Sequence, residues 1–398
     1  MILIDKPYVS DFLIKTIKEN NIEIIATPEA RKLISDNSLN WITEEKAKSI
    51  YEKNPGTKIY TNSENSISWI ERNLNSSNLP EQIDIFKNKI TFRELIKDSY
   101  LDYFFKGVKF EELANLNLAE IIFPVIIKPA VGFFSIGVHK VNNAEEWNST
   151  IIKVEDEIKR LNNLYPKEVI DISDFILEEC IEGEEYAIDC YFNKNGDPVI
   201  LNIFHHIFSS DNDVSDRVYS TSEEIFNKHK NVIREFLSDI GLKTNLKNFP
   251  AHIEVRINKK GKLNPIEVNP LRFGGWCTTG DFSWYAYGFN SYEYFLKNKK
   301  PAWDEIFKAH KGKKYSIIVL DNISGIKENE IGFFDYDLLL KDFENPLNLR
   351  KVDISKYHIF GFLFTETTIG NEEELNRILT STLSKYIRIE NTTGKKVQ

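Results

Sequence analysis

Short apolar segments separated by polar turns open the chain. Residues 2 to 4 and 22 to 26 are apolar runs, and between them Phe12, Leu13, Ile14 and Ile17 fall at the spacing of one helical face within Ser10 to Asn20. The pattern predicts a βαβ unit of parallel strands. Its first turn, Asp5-Lys6-Pro7-Tyr8, contains no GxGxxG, so a classical dinucleotide site is not supported. The stretch from Asn54 to Pro80 carries Asn-Pro-Gly and Asn-Ser-Ser-Asn, reads as turns between small α/β elements, and closes a first domain over 1–88.

Further on, Ile121 to Ile127 predicts a strand, Lys128-Pro129-Ala130-Val131-Gly132 a break, and Ile136 to Val141 a second strand. A helical pattern follows over Ala144 to Asn163. A strand beginning at Ile176-Leu177 leads into Glu178-Glu179-Cys180-Ile181-Glu182-Gly183-Glu184-Glu185, and Tyr186 to Phe192 alternates before an Asn195-Gly196 turn. Ile225 to Ile240 is amphipathic, with Gly241 expected as its C-cap. This order is α+β, not doubly wound, in a domain over 89–300. A last unit, 301–398, shows strand patterns at Ile317 to Leu320 and Ile359 to Phe364 and a helical one over Glu372 to Tyr386.

Composition narrows the function classes. A chain of 398 residues exceeds one ordinary core, and 41% hydrophobic with 28% charged residues is usual for a folded globular protein. No apolar run reaches membrane-spanning length and no leader precedes Asp5, so a soluble, cytoplasmic protein is expected. Cys180, Cys190 and Cys277 are too few and scattered for a disulfide framework or zinc knuckle. A net charge of -9 argues against a nucleic-acid partner, which calls for a basic face.

Two segments carry candidate chemistry. In His252-Ile253-Glu254-Val255-Arg256-Ile257, a turn at Asn258 to Gly261, and Lys262-Leu263-Asn264-Pro265-Ile266-Glu267-Val268-Asn269, both arms alternate with period two. With a loop of four residues, Ile257 pairs with Lys262, His252 lies opposite Glu267, and Glu254 is diagonal to it on the same face. Two carboxylates then converge beside Asn269. Like charges so placed repel unless a cation lies between them, and magnesium suits such oxygens; a hairpin face with its charges free in water fits the spacing equally well. The second segment, Phe123 to Pro129, puts Lys128 at the end of an apolar strand. The loop after it, Gly132-Phe133-Phe134-Ser135-Ile136-Gly137, offers backbone N–H groups and a hydroxyl for phosphate oxygens. Alone, that segment reads rather as a plain hairpin turn with a terminal lysine.

Taken in order, these segments resemble the ATP-grasp superfamily over roughly residues 85 to 290, in particular carboxylate-amine ligases such as amino-acid ligases and D-Ala:D-Ala ligases. The resemblance implies an ATP-grasp fold with an N-terminal α/β domain and a small C-terminal α/β subdomain. It assigns Lys89 and Lys128 to the nucleotide phosphates, Gly132, Ser135 and Gly137 to the phosphate loop, and Glu178, Glu179, Cys180 and Ile181 to the adenine hinge, with Glu185 on the ribose. Glu254, Glu267 and Asn269 match the metal ligands, for magnesium or manganese beside ATP. The implied activity joins a small carboxylate to an amine through an acyl-phosphate. The arginine of the family's NPRxGG lies one place late here, in Asn269-Pro270-Leu271-Arg272-Phe273-Gly274-Gly275, which leaves Arg272 and Arg256 as catalytic candidates. Arg217 and His206 fall where relatives bind acceptor or donor, and Arg217 is the stronger because a guanidinium matches a carboxylate in bidentate fashion. Relatives suggest a homodimer. The alternatives are modification of a peptide or protein side chain, and a nucleotide-binding regulatory module without turnover. Asp211-Asn212-Asp213-Val214-Ser215 lacks the glycine and closing glutamate of an EF-hand. The aromatic run Trp276, Phe282, Trp284, Tyr285 and Tyr287 is expected to pack a helix on a sheet.

Overall fold

Ser10 accepts a hydrogen bond from the Leu13 amide and starts the helix Asp11–Glu19, whose Leu13 and Ile17 are fully buried. The helix joins the parallel strands Ile2–Leu3 and Ile24–Ile25, as the pattern predicts. Trp41–Ile42 and Tyr60–Thr61 flank them to complete a four-stranded parallel sheet. The computed structural model describes residues 1–132, 137–161, 171–210, 213 and 215–389. The chain divides into two units: Met1–Gly183 with Cys190–Val199 and Val232–Cys277, and Glu184–Asp189 with Ile200–Asn231 and Thr278–Gln398.

The first unit contains a second, antiparallel sheet ordered Phe105–Lys109, Asp171–Glu179, Val125–Val131, His139–Val141. Val125, Ile127, Phe175 and Leu177 pack one face against Trp147, Ile151 and Val154 of the helix Trp147–Leu161. The expected break at Lys128 is corrected: the strand starts after Pro124 and runs through Lys128 to Val131, with a register irregularity after Pro129, which has no N–H to give the ladder. Ile121 precedes the strand, and Ile136 and Asn163 lie outside the described residues.

Gly241 is not the C-cap expected of it. The helix begins at Glu223 and, in the part belonging to this unit, continues through Gly241 to Thr244. Asn245, at φ 51°, ends it: Leu246 N–H donates to Gly241 O at 3.1 Å and Asn245 N–H to Leu242 O at 3.4 Å, a Schellman pairing. Gly241 is required for another reason, since a Cβ there would lie 2.6 Å from the Phe192 ring.

In the second unit, Val218–Ser222, Lys313–Asp321, Ile359–Thr368 and Asn345–Lys351 form an antiparallel row, and Ile317 faces Phe364 as neighbouring strands. The helix Thr278–Tyr287 packs Phe282 on Phe204 at 5.0 Å and Tyr285 on Phe364 at 5.0 Å between ring centroids, as the aromatic run predicts. The last helix is shorter than expected and spans Glu373–Leu379. Hydroxyl side chains end it: Thr380 Oγ1 donates to Asn376 O at 3.3 Å and Ser381 Oγ accepts from the Leu383 amide at 3.0 Å, competing with the helical ladder. Among the described residues no helix is long and apolar enough to cross a membrane, and Cys180, Cys190 and Cys277 form no disulfide.

Candidate functional site

The hairpin Phe249–Ile257/Leu263–Pro270 departs from its expected register, and the departure brings its carboxylates closer together. Asn258 Oδ1 accepts from the amides of Lys260 and Lys262 at 2.9 and 3.0 Å, and Gly261 takes φ 79°, so the loop holds one residue more than expected and Ile257 pairs with Leu263. Ile266 is then an extra residue that bulges out of the ladder. Beyond it Glu254 lies directly opposite Glu267, and His252 lies opposite Asn269. Side chains of paired residues share a face, so two carboxylates stand side by side, partly open to solvent at 28% and 31% exposure. Directly opposed like charges destabilise a sheet, and a divalent cation removes that penalty. Asn269 Nδ2 donates to Glu267 Oε1 at 3.0 Å, which orients the pair.

Cations gather around these carboxylates. Lys89 is the first residue of the helix Lys89–Ile96, where Asn88 Oδ1 accepts from the Ile90 and Thr91 amides. A lysine at a helix N-terminus adds to the positive end of the dipole, a poor place for stability and a good one for an anion. Its Nζ donates to Gly132 O at 3.2 Å and lies 3.9 Å from Glu267 Oε2. Lys128 points away from the core face of its strand and meets the Glu178 carboxylate, both buried. Burial pulls the Lys128 ammonium below its usual range, with Glu178 opposing. Burial likewise works against the ionised Glu178, yet Lys128 and Arg93 hold its carboxyl down at about 2.

Arg272 follows Leu271, whose φ of 61° turns the chain out of the hairpin. Its NH2 donates to Glu64 Oε1 at 2.6 Å and to Asn269 Oδ1 at 2.9 Å. Burial disfavours its charge, but Glu64, then Glu267 and Glu254, keep the guanidinium firmly protonated. Burial would raise Glu64 too; Arg272, Lys87 and Lys89 together hold it below the carboxylate range. Arg256 is placed elsewhere: its NH1 donates to Ile181 O at 2.9 Å, in the segment read as the adenine hinge. Glu179 and Cys180 are half-buried in the same segment, and burial pushes the Cys180 thiol up. It ends at Gly183, φ 121°, where a Cβ would lie 2.5 Å from Ile257 O, so only glycine fits. Gly132 and Gly137 flank the segment read from the sequence as a phosphate loop, and its Ser135 lies outside the described residues.

In the second unit, Glu185 Oε1 lies 2.8 Å from His206 Nδ1, while His206 Nε2 lies 3.0 Å from Ser215 O and the ring stacks on Tyr219 at 4.1 Å. Arg217, 1% exposed, is paired with Asp321 at 2.7 Å. The carboxylate partner assigned to Arg217 from the sequence is therefore matched by one within the chain.

The first unit thus brings Lys89, Lys128, Gly132, Glu178, Glu254, Glu267, Asn269 and Arg272 into one charged network. Sequence reasoning missed three members. Glu64 and Lys87 carry no local signal, whereas Arg93 lies four residues after Lys89, on the same helical face, and spacing alone could have singled it out. Among the described residues no three His, Cys, Asp or Glu side chains cluster as a self-sufficient metal site. Two carboxylates and an amide do fit a magnesium ion that takes its other oxygens from water and phosphate.

Residues 121–280 match the model of the ATP-grasp domain, and the chain has the ATP-grasp fold. A structure of an L-amino acid ligase from Bacillus licheniformis is 18% identical with a TM-score of 0.66, covering 98% of this chain and 97% of that one. N5-carboxyaminoimidazole ribonucleotide synthetase from Thermotoga maritima is 15% identical, TM-score 0.64, covering 98% of each. The biotin carboxylase domain of 2-oxoglutarate carboxylase from Hydrogenobacter thermophilus, solved with MgADP, ADP and bicarbonate, is 12% identical, TM-score 0.62, covering 92% of this chain and 86% of that one. No curated protein matches the chain in sequence.

Proposed function

We propose that this chain is an ADP-forming ligase that joins a small carboxylate, such as an amino acid, to an amine. The reading rests above all on Glu254 and Glu267 standing opposite each other in the hairpin with Asn269 beside them and Lys89 3.9 Å from Glu267. The ligases and the MgADP complex among the fold's relatives support it.

In this reading Lys89 and Lys128 hold the nucleotide phosphates, and Arg256 braces the hinge that receives adenine through the backbone of Cys180 and Ile181. Glu254, Glu267 and Asn269 would hold magnesium, which would supply positive charge against the triphosphate. The substrate carboxylate oxygen attacks the γ-phosphorus in line, the bond to the bridging oxygen breaks, and ADP leaves. The amine nitrogen then attacks the acyl carbon and inorganic phosphate departs, the amine proton going to solvent. Arg272, fixed by Glu64 and Asn269, faces the charge that develops on the acyl oxygen. Its position beside the carboxylate pair, against that of Arg256 on the hinge, favours Arg272 for this role.

The test is a phosphate-release screen of amino acids and small carboxylates, singly and in pairs, with ATP and magnesium. Release that needs both partners and yields an amide by mass spectrometry is expected. Glu267→Ala should abolish ADP formation, and an undiminished rate in that variant would refute the assignment. Release with a carboxylate and a peptide, but not with a free amine, would turn the reading to side-chain modification.

A further inference from the structure

The lysine strand and the carboxylate hairpin are tied together by one buried guanidinium. Arg93, 2% exposed, lies one turn after Lys89 on the same helix. Its Nε–H donates to Glu178 Oε2 at 2.8 Å, and the other oxygen of Glu178 meets Lys128 Nζ. Its NH1 donates to the carbonyl of Pro265 at 2.7 Å. Pro265 is the residue just before the bulged Ile266, and so sits where the register shifts to put Glu267 opposite Glu254. The Tyr103 ring covers the guanidinium at 4.7 Å. One side chain therefore holds both the strand that carries Lys128 and the bulge that aims Glu267.

The charges matter as much as the geometry. Arg93 and Lys128 share a single carboxylate in a dry environment, which leaves a net positive charge where Lys128 meets an incoming anion. Without Arg93, Lys128 and Glu178 would neutralise each other, and a phosphate would have to compete with Glu178 for the ammonium. We propose that Arg93 is the positioning residue of the nucleotide site, keeping Lys128 free for phosphate and the Pro265 bulge set for the metal carboxylates. The inference rests on the reading given under Proposed function.

Binding of ATP and of ADP to the full chain, each with and without magnesium, is measured by calorimetry beside a thermal melt. If the wild-type chain fails to bind MgATP, the functional reading itself falls. If it binds, Arg93→Met is expected to weaken MgATP by about tenfold or more. The decisive variant is the double, Arg93→Met with Glu178→Gln. Removing the carboxylate releases Lys128, so affinity should recover over the single variant, a gain that a purely structural role for Arg93 would not produce. Arg93→Lys keeps the charge but cannot reach both Glu178 and Pro265. It should retain affinity for magnesium-free ATP and need several times more magnesium for half-maximal MgATP binding. Wild-type-like affinity in Arg93→Met, or no recovery in the double variant, overturns the inference while leaving the functional reading in place. Should the methionine variants not fold, Arg93→Lys decides alone: a shifted magnesium requirement supports the proposal and an unshifted one overturns it.

Discussion

Arg272 and Arg256 are alike as residues and different as placed groups. The Arg272 guanidinium spans Glu64 and Asn269, and feels Glu267 and Glu254, so it is fixed before any substrate arrives. A donor held ready costs no reorganisation when charge develops, and losing one such donor typically lowers kcat by about 10²–10³. Arg272→Gln is therefore expected to lower kcat on that scale with little change in KM for ATP. Arg256→Gln, which frees the Ile181 carbonyl, should do the reverse, raising KM for ATP and sparing kcat. Steady-state kinetics on the two variants separates the roles, and an inverted pattern would exchange them. Such roles come from partners distant in sequence. Glu64 opens a short 3-10 turn 208 residues from Arg272, and nothing in its neighbours marks it as the group that aims an arginine.

At the scale of elements, Gly241 sets two effects against each other. An alanine in a helix interior gains about 1 kcal/mol over glycine. Here its Cβ would lie 2.6 Å from the Phe192 ring, and overpacking of that kind costs about 1–3 kcal/mol. The clash involves a buried aromatic ring and should win, so Gly241→Ala is expected to lower the urea midpoint, while Gly241→Ala with Phe192→Leu should recover most of the loss. A higher midpoint in the single variant would show that the ring yields. The same glycine shows how far the sequence could be read. The helix was legible from its period, but its end was not, because Asn245 can adopt φ 51° and replace glycine as the cap. The hairpin was legible from alternation, and its two carboxylates with it. Their direct opposition was not, because it depends on the Asn258 side chain ordering a longer loop and on a bulge at Ile266. Strand edges failed around prolines: Lys128 reads as a strand end because Pro129 follows it, yet the ladder continues.

Across the whole molecule, buried titratable groups are divided unevenly between the two units, and the division predicts how the protein responds to acid. His205, His229 and His310 all lie in the second unit, and burial lowers each below the ordinary histidine range, His229 to about 4. Such a histidine is neutral when folded, while the unfolded chain takes up its proton near 6.5. The unfolded state then binds more protons, so the histidine contribution is fully present above about pH 6.5 and is lost as pH falls through about 4. With partial solvent screening allowed for, the change for His229 is on the order of 2 kcal/mol. In the first unit the corresponding group is Glu178, held at about 2 against an ordinary 4.5. Its contribution survives down to about pH 4.5 and is lost only as pH falls through about 2. The Met1 amine of the first unit, lowered by burial to about 6, gives up most of its own contribution as pH falls from about 8 to 6, so it is below about pH 6 that the second unit should weaken more than the first. Hydrogen exchange at about pH 6 and about pH 4.5, corrected for intrinsic rates, is expected to show lost protection in Lys313–Asp321 and Ile359–Thr368 before Val125–Val131 and Phe249–Ile257. His229→Gln should shrink the difference, because glutamine has no proton to take up on unfolding. Protection lost first in the lysine strand or the carboxylate hairpin would mean that the ion pairs around Glu178, not the buried histidines, limit stability in mild acid.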